Sequence, residues 1–348
     1  MSLNPIEDVS RTLATLAEQA VTRVKGGPPG PFSNLPRSDA QGAKASEDPV
    51  SIRTLRAQVL AQAGRDAAVR QDGLGRLMAE LADALKGADL SKQIVSEIDR
   101  VLSRLAPLNE TVNGADVENA LRHSGLMLEV DLVRHPNDIP QDLKSALLSL
   151  RHALATPPGP RRTTGAVRPP PPYFGGPISG QPAYSQIPDP DVSTEARQQR
   201  LADAVDGALA RIELEQIASL PQKESDPTVW RFETPVATPQ GTTIAQCEIQ
   251  REDHGHRTGA SSLAIWRVRF ALNLDPFGPI EAHLHLTGIH LGVALWVQKR
   301  EAADILTAQA SNLSGGLAGT GLEVAVAVYH GTPGAAPTPT GRLLDTAI

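Results

Sequence analysis

Residues 266–286 of this 348-residue chain read Trp266-Arg-Val-Arg-Phe-Ala-Leu-Asn-Leu-Asp-Pro-Phe-Gly-Pro-Ile-Glu-Ala-His-Leu-His-Leu286. Ile265, Arg267 and Arg269 alternate with Trp266, Val268 and Phe270, a period of two that predicts a strand with one buried and one wet face. Pro276-Phe277-Gly278 punctuates the run, and alternation resumes from Ile280 to Leu286. Beyond Thr287-Gly288, Ile289 to Val297 reads as the second arm of a hairpin. Upstream, Trp230, Phe232 and Val236 precede a Pro239-Gln240-Gly241 turn, after which Ile244 to Arg251 and Leu263 to Leu274 alternate as strands. Downstream, Ala303, Leu306, Ala310 and Leu313 mark a helix from Arg300 to Leu317. It stops in Gly319-Thr320-Gly321 and leads into a last strand, Leu322 to Tyr329.

An amphipathic helix carrying Leu201, Val205, Ala208, Leu209 and Ile212 opens this region; Gln216 breaks its apolar face and Pro221 sets its latest end. The order α-β-β-β-β-α-β defines an α+β domain over residues 193–330 with an antiparallel-rich sheet. Residues 51–155 change period. Ile52, Leu55, Val59 and Leu60, then Leu74, Leu77, Met78, Leu81 and Leu85, then Ile94, Ile98, Val101, Leu102 and Leu105 each line one helical face. Pro107 ends the third helix, Asp116 to His123 forms a short one with Gly125 as its C-cap, and Pro140 opens one carrying Leu143, Leu147, Leu150 and Leu154. The region is expected to be an all-α bundle.

Residues 156–192 hold 11 of the 29 prolines, Pro169 to Pro172 contiguous, and read as a semi-rigid Pro-rich linker between the two units. Residues 25–50 read as a flexible linker and residues 331–348 as a disordered tail. Within residues 1–24, Ile6, Val9, Leu13, Leu16, Ala17, Ala20 and Val24 recur at helical spacing, a marginal helix of the kind that needs a partner.

Lys plus Arg 33 against Asp plus Glu 39 gives a net charge of -6, which leaves no basic footprint for a nucleic-acid partner. Cys247 is the single cysteine, so no disulfide, thiolate zinc cluster or redox pair is expected within the chain. The N-terminus lacks the pattern of a cleaved secretory signal, and no run of about 18 apolar residues predicts membrane insertion.

Chemistry is sparse. No G-x-S-x-G, P-loop or H-E-x-x-H occurs, and Gly315 to Gly321 follows a helix instead of opening one, so it does not present helix N-terminal amides to phosphate. His283 and His285 project to one strand face, with His290 on the partner strand and His254 and His256 in a loop; such imidazoles can bind zinc or nickel. Glu281 shares their face and no acid pair backs them, so a solvated strand face is the expectation. Cys247 is read as structural, and scattered carboxylates offer no general acid/base pair. The residues therefore predict no catalytic, cofactor-binding or metal site and no enzyme.

The form W-x-V-x-F-x-L-x-L-x-P-F-G-P-I-x-A-x-L-x-L over residues 266–286 resembles the C-terminal domain of bacterial flagellar hook-length control proteins, whose signature is L-x-L-x-P-x-x-L-G-x-V-x-V-x-L. The likeness runs on through Leu291-Gly-Val-Ala-Leu-Trp-Val297, the helix from Ile305 to Leu317 and Gly321-Leu-Glu-Val-Ala-Val326. Ala120-Leu-Arg-His-Ser-Gly-Leu-Met-Leu-Glu129 and Asp142-Leu-Lys-Ser-Ala-Leu-Leu148 are similar to segments in the middle region of some members. Where the family has Leu-Gly, this chain has Phe277-Gly278. The resemblance implies a non-enzymatic regulator, exported by the flagellar type III apparatus through an uncleaved N-terminal signal, which residues 1–24 would supply. Its C-terminal domain would contact the cytoplasmic domain of the export-gate switch protein and change export from hook to filament subunits; hook or hook-cap subunits are further candidate partners. The motif core carried over is Leu272, Leu274, Pro276, Phe277, Gly278 and Ile280. A cytoplasmic adaptor or scaffold built on the same domain is the competing expectation.

Overall fold

A computed structural model describes residues 49–333, except 87–89, 106–113, 137, 139–140, 155–167, 182–192, 222–225, 239–240, 253–263 and 320. The expected N-terminal helix, the tail beyond residue 333, Pro107, Pro140, His254 and His256 lie outside the described residues.

Seven helices precede the sheet among the described residues: α1 (Pro49–Arg70), α2 (Leu74–Lys86), α3 (Lys92–Arg104), α4 (Gly114–His123), α5 (Leu128–Arg134), α6 (Leu143–Leu154) and α7 (Thr194–Ser219). Five strands follow, β1 (Thr228–Thr238), β2 (Gly241–Glu252), β3 (Ile265–Leu274), β4 (Gly278–Thr287) and β5 (His290–Val297), then α8 (Arg300–Ala318) and β6 (Glu323–His330). The class is α+β. Five strands stand before α8, one more than the four expected, because the stretch around Trp230 and Phe232 pairs along its whole length with β2. Its Pro235 is tolerated because β1 is an edge strand.

The six strands lie in sequence order, antiparallel except for β5 and β6, which α8 joins as a parallel crossover. Residues paired across the ladders share a face. One row runs Phe232, Cys247, Phe270, Ala282, Leu295 and Val328, and its neighbour on the other face runs Arg231, Glu248, Arg269 and His283. The sheet therefore has an apolar face and a charged face.

The principal core lies in the helical region. Leu77 and Leu81 of α2, Ile98 and Val101 of α3, Leu147 and Leu150 of α6 and Leu201, Val205 and Ala208 of α7 pack together with Ile244 of β2, and all are fully buried. The helix at residues 194–219 thus spends its apolar face on the helices before it, while its far end meets β1. Ser91 and Ser193 cap α3 and α7 through Ile94 N at 3.3 Å and Ala196 N at 3.2 Å, and Asp142 Oδ1 accepts from Ser145 N at 2.9 Å at the start of α6. The apolar set of α1 departs from expectation. Leu55 and Val59 are exposed, and the contact with α7 runs instead through Ala67, Ala68, Ala210 and Leu214, because small residues let the two helices approach closely. A smaller core under α8 joins Val297, Ala302 and Ala303 to Phe277, Ile280, Leu306 and Val328.

The Pro-rich linker joins the two regions, and over residues 168–181 it does so as a bound strap rather than a free spacer. Gln71 donates to Pro169 O at 2.7 Å, Arg211 to Pro170 O at 2.6 Å and Arg231 to Tyr173 O at 2.6 Å. Gln181 and Ile244 exchange backbone hydrogen bonds of 3.0 and 3.3 Å. At Gly180 a Cβ would overlap the backbone of Leu272, so only glycine lets the strap lie this close to β3.

Candidate functional site

The motif read from the sequence sits at the β3–β4 turn. Leu272 pairs with Ile280 and Leu274 with Gly278, and Asp275 to Phe277 close the turn. Gly278 has φ +78°, a left-handed conformation that disfavours any β-branched replacement. Lys299 Nζ donates to Pro276 O at 2.6 Å, tying the turn to the start of α8. Phe277 and Ile280 point into the small core under α8, and Leu272 lies beside Gly180 of the strap. Pro276 and Asp275 are exposed. The six motif residues are therefore brought together, five chiefly by packing and strand pairing and one, Pro276, at the surface.

A cleft of about 140 Å³ opens beside this turn between the strap (Ile178 to Gly180), β4 (Pro279 to Glu281), Trp296 and Gly331 to Pro333. It is smaller than the roughly 300–1,000 Å³ of a small-molecule site.

The histidines do not converge. His283 Nε2 lies 2.7 Å from Glu281 Oε1 and its ring is 4.4 Å from that of Trp296, which stacks on Tyr329 at 5.3 Å. His290 Nδ1 is 2.9 Å from Glu323 Oε2 in a pair about 70 % exposed. Among the described residues no three His, Cys, Asp or Glu side chains are grouped to hold a metal. Cys247, partly accessible, is ringed closely enough that burial, with Glu215 and Glu233 nearby, pushes its thiol up to about 12. At neutral pH it stays protonated and is a poor nucleophile.

The charged face holds what the sequence did not reveal. The expected wet face is covered where the strap crosses it: Arg231 is 0 % exposed and lies under the strap, while Arg267 keeps a 40 % exposed side chain. It donates to the carbonyl oxygens of Tyr173, Gly176 and Pro177, with Glu248 Oε2 3.8 Å away. Arg269 meets Glu248 Oε1 at 2.6 Å and Gly176 O at 3.0 Å. Arg211 of α7 grips Glu233 Oε1 through two nitrogens at 2.7 and 2.9 Å, and Gln181 reaches the same oxygen at 2.8 Å. Burial, and then the neighbouring Glu233 charge, raises the Glu215 carboxyl well above its ordinary range, while burial lowers Arg231, which stays charged. Guanidinium groups held by main-chain carbonyls and carboxylates form a structural clasp between strap, α7 and sheet. The only signal in the sequence was the alternation of Arg231, Glu233, Glu248, Arg267 and Arg269 with apolar neighbours, which fixes a shared face but not what covers it.

A sheet that grows strand by strand, with one helix crossing to a parallel last strand and a Pro-Phe-Gly turn tied to that helix, defines a small α+β module. Residues 256–337, which take in β3 to β6 and α8, match the family model described as flagellar hook-length control protein FliK, so the C-terminal region of this chain is similar to the domain of that family. No curated protein and no solved structure matches the chain. No helix among the described residues is long and apolar enough to cross a membrane.

Proposed function

We propose that this protein is a non-enzymatic regulator that ends flagellar hook growth and switches type III export from hook to filament subunits. The observation that supports this reading is the match of residues 256–337 to the hook-length control family model. In it the C-terminal module binds the cytoplasmic domain of the export-gate switch protein, and hook or hook-cap subunits are further contacts. The chain acts in the cytoplasm and leaves through the flagellar channel, led by residues 1–24 as an uncleaved signal. The helical region, whose core α7 completes, and the sheet with α8 are its two parts, held to one another by the strap. The β3–β4 turn is the contact surface in this reading: Pro276 is exposed on a frame made rigid by Gly278, Phe277 and Ile280.

Titration calorimetry of the full chain against the purified cytoplasmic domain of the switch protein tests this. Binding is expected, and Asp275→Arg, a change at an exposed position of the turn, should weaken it at least about tenfold with an unchanged melting temperature, as a hot-spot position does. Absence of binding by the wild-type chain would overturn the reading. Binding that Asp275→Arg leaves intact would move the contact away from this turn.

A further inference from the structure

β6 ends the sheet, and among the described residues no strand pairs with its outer edge. In a parallel ladder every second residue turns both its N–H and its C=O to the neighbouring strand. Glu323 N donates to Ile289 O at 2.8 Å and Gly331 N to Val297 O at 2.8 Å, so the odd-numbered residues of β6 bond β5. Val324, Val326 and Val328 therefore turn their N–H and C=O to the free edge. Val324 O accepts from Ser314 Oγ of α8 at 3.4 Å, a long contact that leaves its second lone pair for another donor.

Native sheets blunt such an edge with proline, lysine, a bulge or a covering element. The opposite edge follows that rule, since β1 carries Pro235 and packs beside α7. β6 does not. Val324-Ala-Val-Ala-Val-Tyr329 has neither proline nor charge and has strong strand propensity. Nor does α8 show the charged outer face of a solvated helix: no Asp, Glu, Lys or Arg occurs from Ile305 to Leu322, in a chain of which 21 % is charged. Charge depletion on both elements at one end of the sheet is what the centre of an interface requires.

We propose that the occupant of this edge is a second copy of the chain, with β6 pairing antiparallel to its partner's β6 about a two-fold axis through Val326. A two-fold perpendicular to the sheet keeps each face on its own side, so odd-numbered residues stand opposite odd and even opposite even. Val326 then faces Val326 of the partner subunit and Val324 faces the partner's Val328, all of them edge-directed, which forms about six N–H···O=C bonds between the chains. On the other face Ala325 meets the partner's Ala327, and Glu323 meets the partner's Tyr329. Glu323 Oε2 lies 2.9 Å from His290 Nδ1, so Oε1 can accept from that phenol, and Tyr329 is 49 % exposed.

The described chain leaves room for this copy. α7 and the helices packed on it meet the sheet at β1 and β2, at least four strand spacings or about 19 Å from β6. Beyond β6 the chain turns onto the charged face, where Gly331 to Pro333 line the cleft with Ile178 to Gly180 and Trp296. The side of α8 toward the edge is that of Ser314, with Ser311 and Thr307 one and two turns earlier, small side chains beside which another helix can lie closely.

Pairing at this edge requires nothing of the flagellar role and is tested on the isolated protein. Sedimentation equilibrium of the full chain from about 1 to 100 µM should show a mass rising to twice that of one chain. Val326→Pro removes an N–H that points outward and leaves the ladder to β5 intact. It should raise the dissociation constant of the dimer at least about tenfold without lowering the melting temperature of the monomer. A second readout does not depend on how that variant folds. Ala325 and the partner's Ala327 form a non-hydrogen-bonded pair with Cα atoms about 4.5 Å apart, within disulfide reach. In oxidised glutathione an equal mixture of Ala325→Cys and Ala327→Cys chains should cross-link at least about tenfold faster than either variant alone, while Cys247, protonated at neutral pH, stays out of the reaction. A chain that remains monomeric at about 100 µM would overturn the proposal and leave the edge to a strand of another protein. So would a dimer whose dissociation constant Val326→Pro leaves unchanged and whose cysteine variants do not cross-link on mixing, since the copies would then meet elsewhere.

Discussion

Arg231 of β1 is wholly buried, and its Nη2 donates at 3.1 Å to the carbonyl oxygen of Gly176 in the strap. The two residues lie in parts of the sequence that look unrelated, one in an alternating strand and the other in a Pro-Gly stretch. Their contact turns that stretch into a bound part of the fold. A carbonyl is a neutral partner, so a guanidinium that is to stay buried also needs a carboxylate, and Glu248 supplies it at 3.8 Å.

Replacing Arg231 with methionine should therefore cost about 3–5 kcal/mol, because Glu248 loses a cation and three strap carbonyls lose their donor. Urea unfolding measures the loss, and limited proteolysis should cut between residues 168 and 181 faster than in the wild type. A loss below about 1 kcal/mol with unchanged cleavage would mean that the strap is held by other contacts.

Glu215 sets a pH dependence. Burial and the Glu233 charge raise its carboxyl well above 4.5, so at neutral pH the native chain resists an ionisation that the unfolded chain accepts freely. The native state binds more protons over this interval, and stability from this group is full below pH 4.5 and falls as the pH rises through the folded value. Glu215→Gln fixes the neutral form. Its melting temperature should exceed that of the wild type at pH 7.5 and the gap should close toward pH 4.5; a gap that widens on acidification would contradict the assignment.

How much of this could be read beforehand follows from what each element rests on. The helices at Leu74 to Leu85 and Leu143 to Leu154 and the strands around Trp266 and Leu284 show in their periods because one face of each is buried in apolar contacts. The Gly278 turn was legible because a φ of +78° suits glycine. The strap was not legible, since guanidinium-to-carbonyl bonds depend on which distant segment lies above a strand. Nor was the division of labour in α7, whose Leu201 and Val205 pack on α2 and α6 while Arg211 serves the sheet. Arg267 and Arg269 have the pattern of a wet face, and Arg269 is clasped by Glu248 and Gly176 instead.

Gly278→Val places a β-branched residue in the left-handed region and should destabilise the domain by about 1–2 kcal/mol or more. Gly315 in α8 is the contrast, since a Cβ there meets nothing within 4 Å. Gly315→Ala should stabilise by about 0.5–1 kcal/mol through lower unfolded-state entropy and better helix propensity. Thermal unfolding of the pair checks both signs, and a stabilising Gly278→Val would contradict the turn geometry.

In the helical core, Leu147→Ala should cost about 2–5 kcal/mol, because the side chain is 0 % exposed and the surrounding helices cannot close the cavity. Equilibrium denaturation measures it. A loss under about 1 kcal/mol would mean that the contact of α6 with α7 is not a principal packing surface.

Hook length in the bacterium that makes this protein is the most direct test of its role. Residues 226–348 would be removed, leaving α7 to complete the helical core, with filament subunit export followed in the same cells. The account predicts hooks that grow far past their normal length and carry no filaments. Hooks of normal length bearing filaments would contradict it.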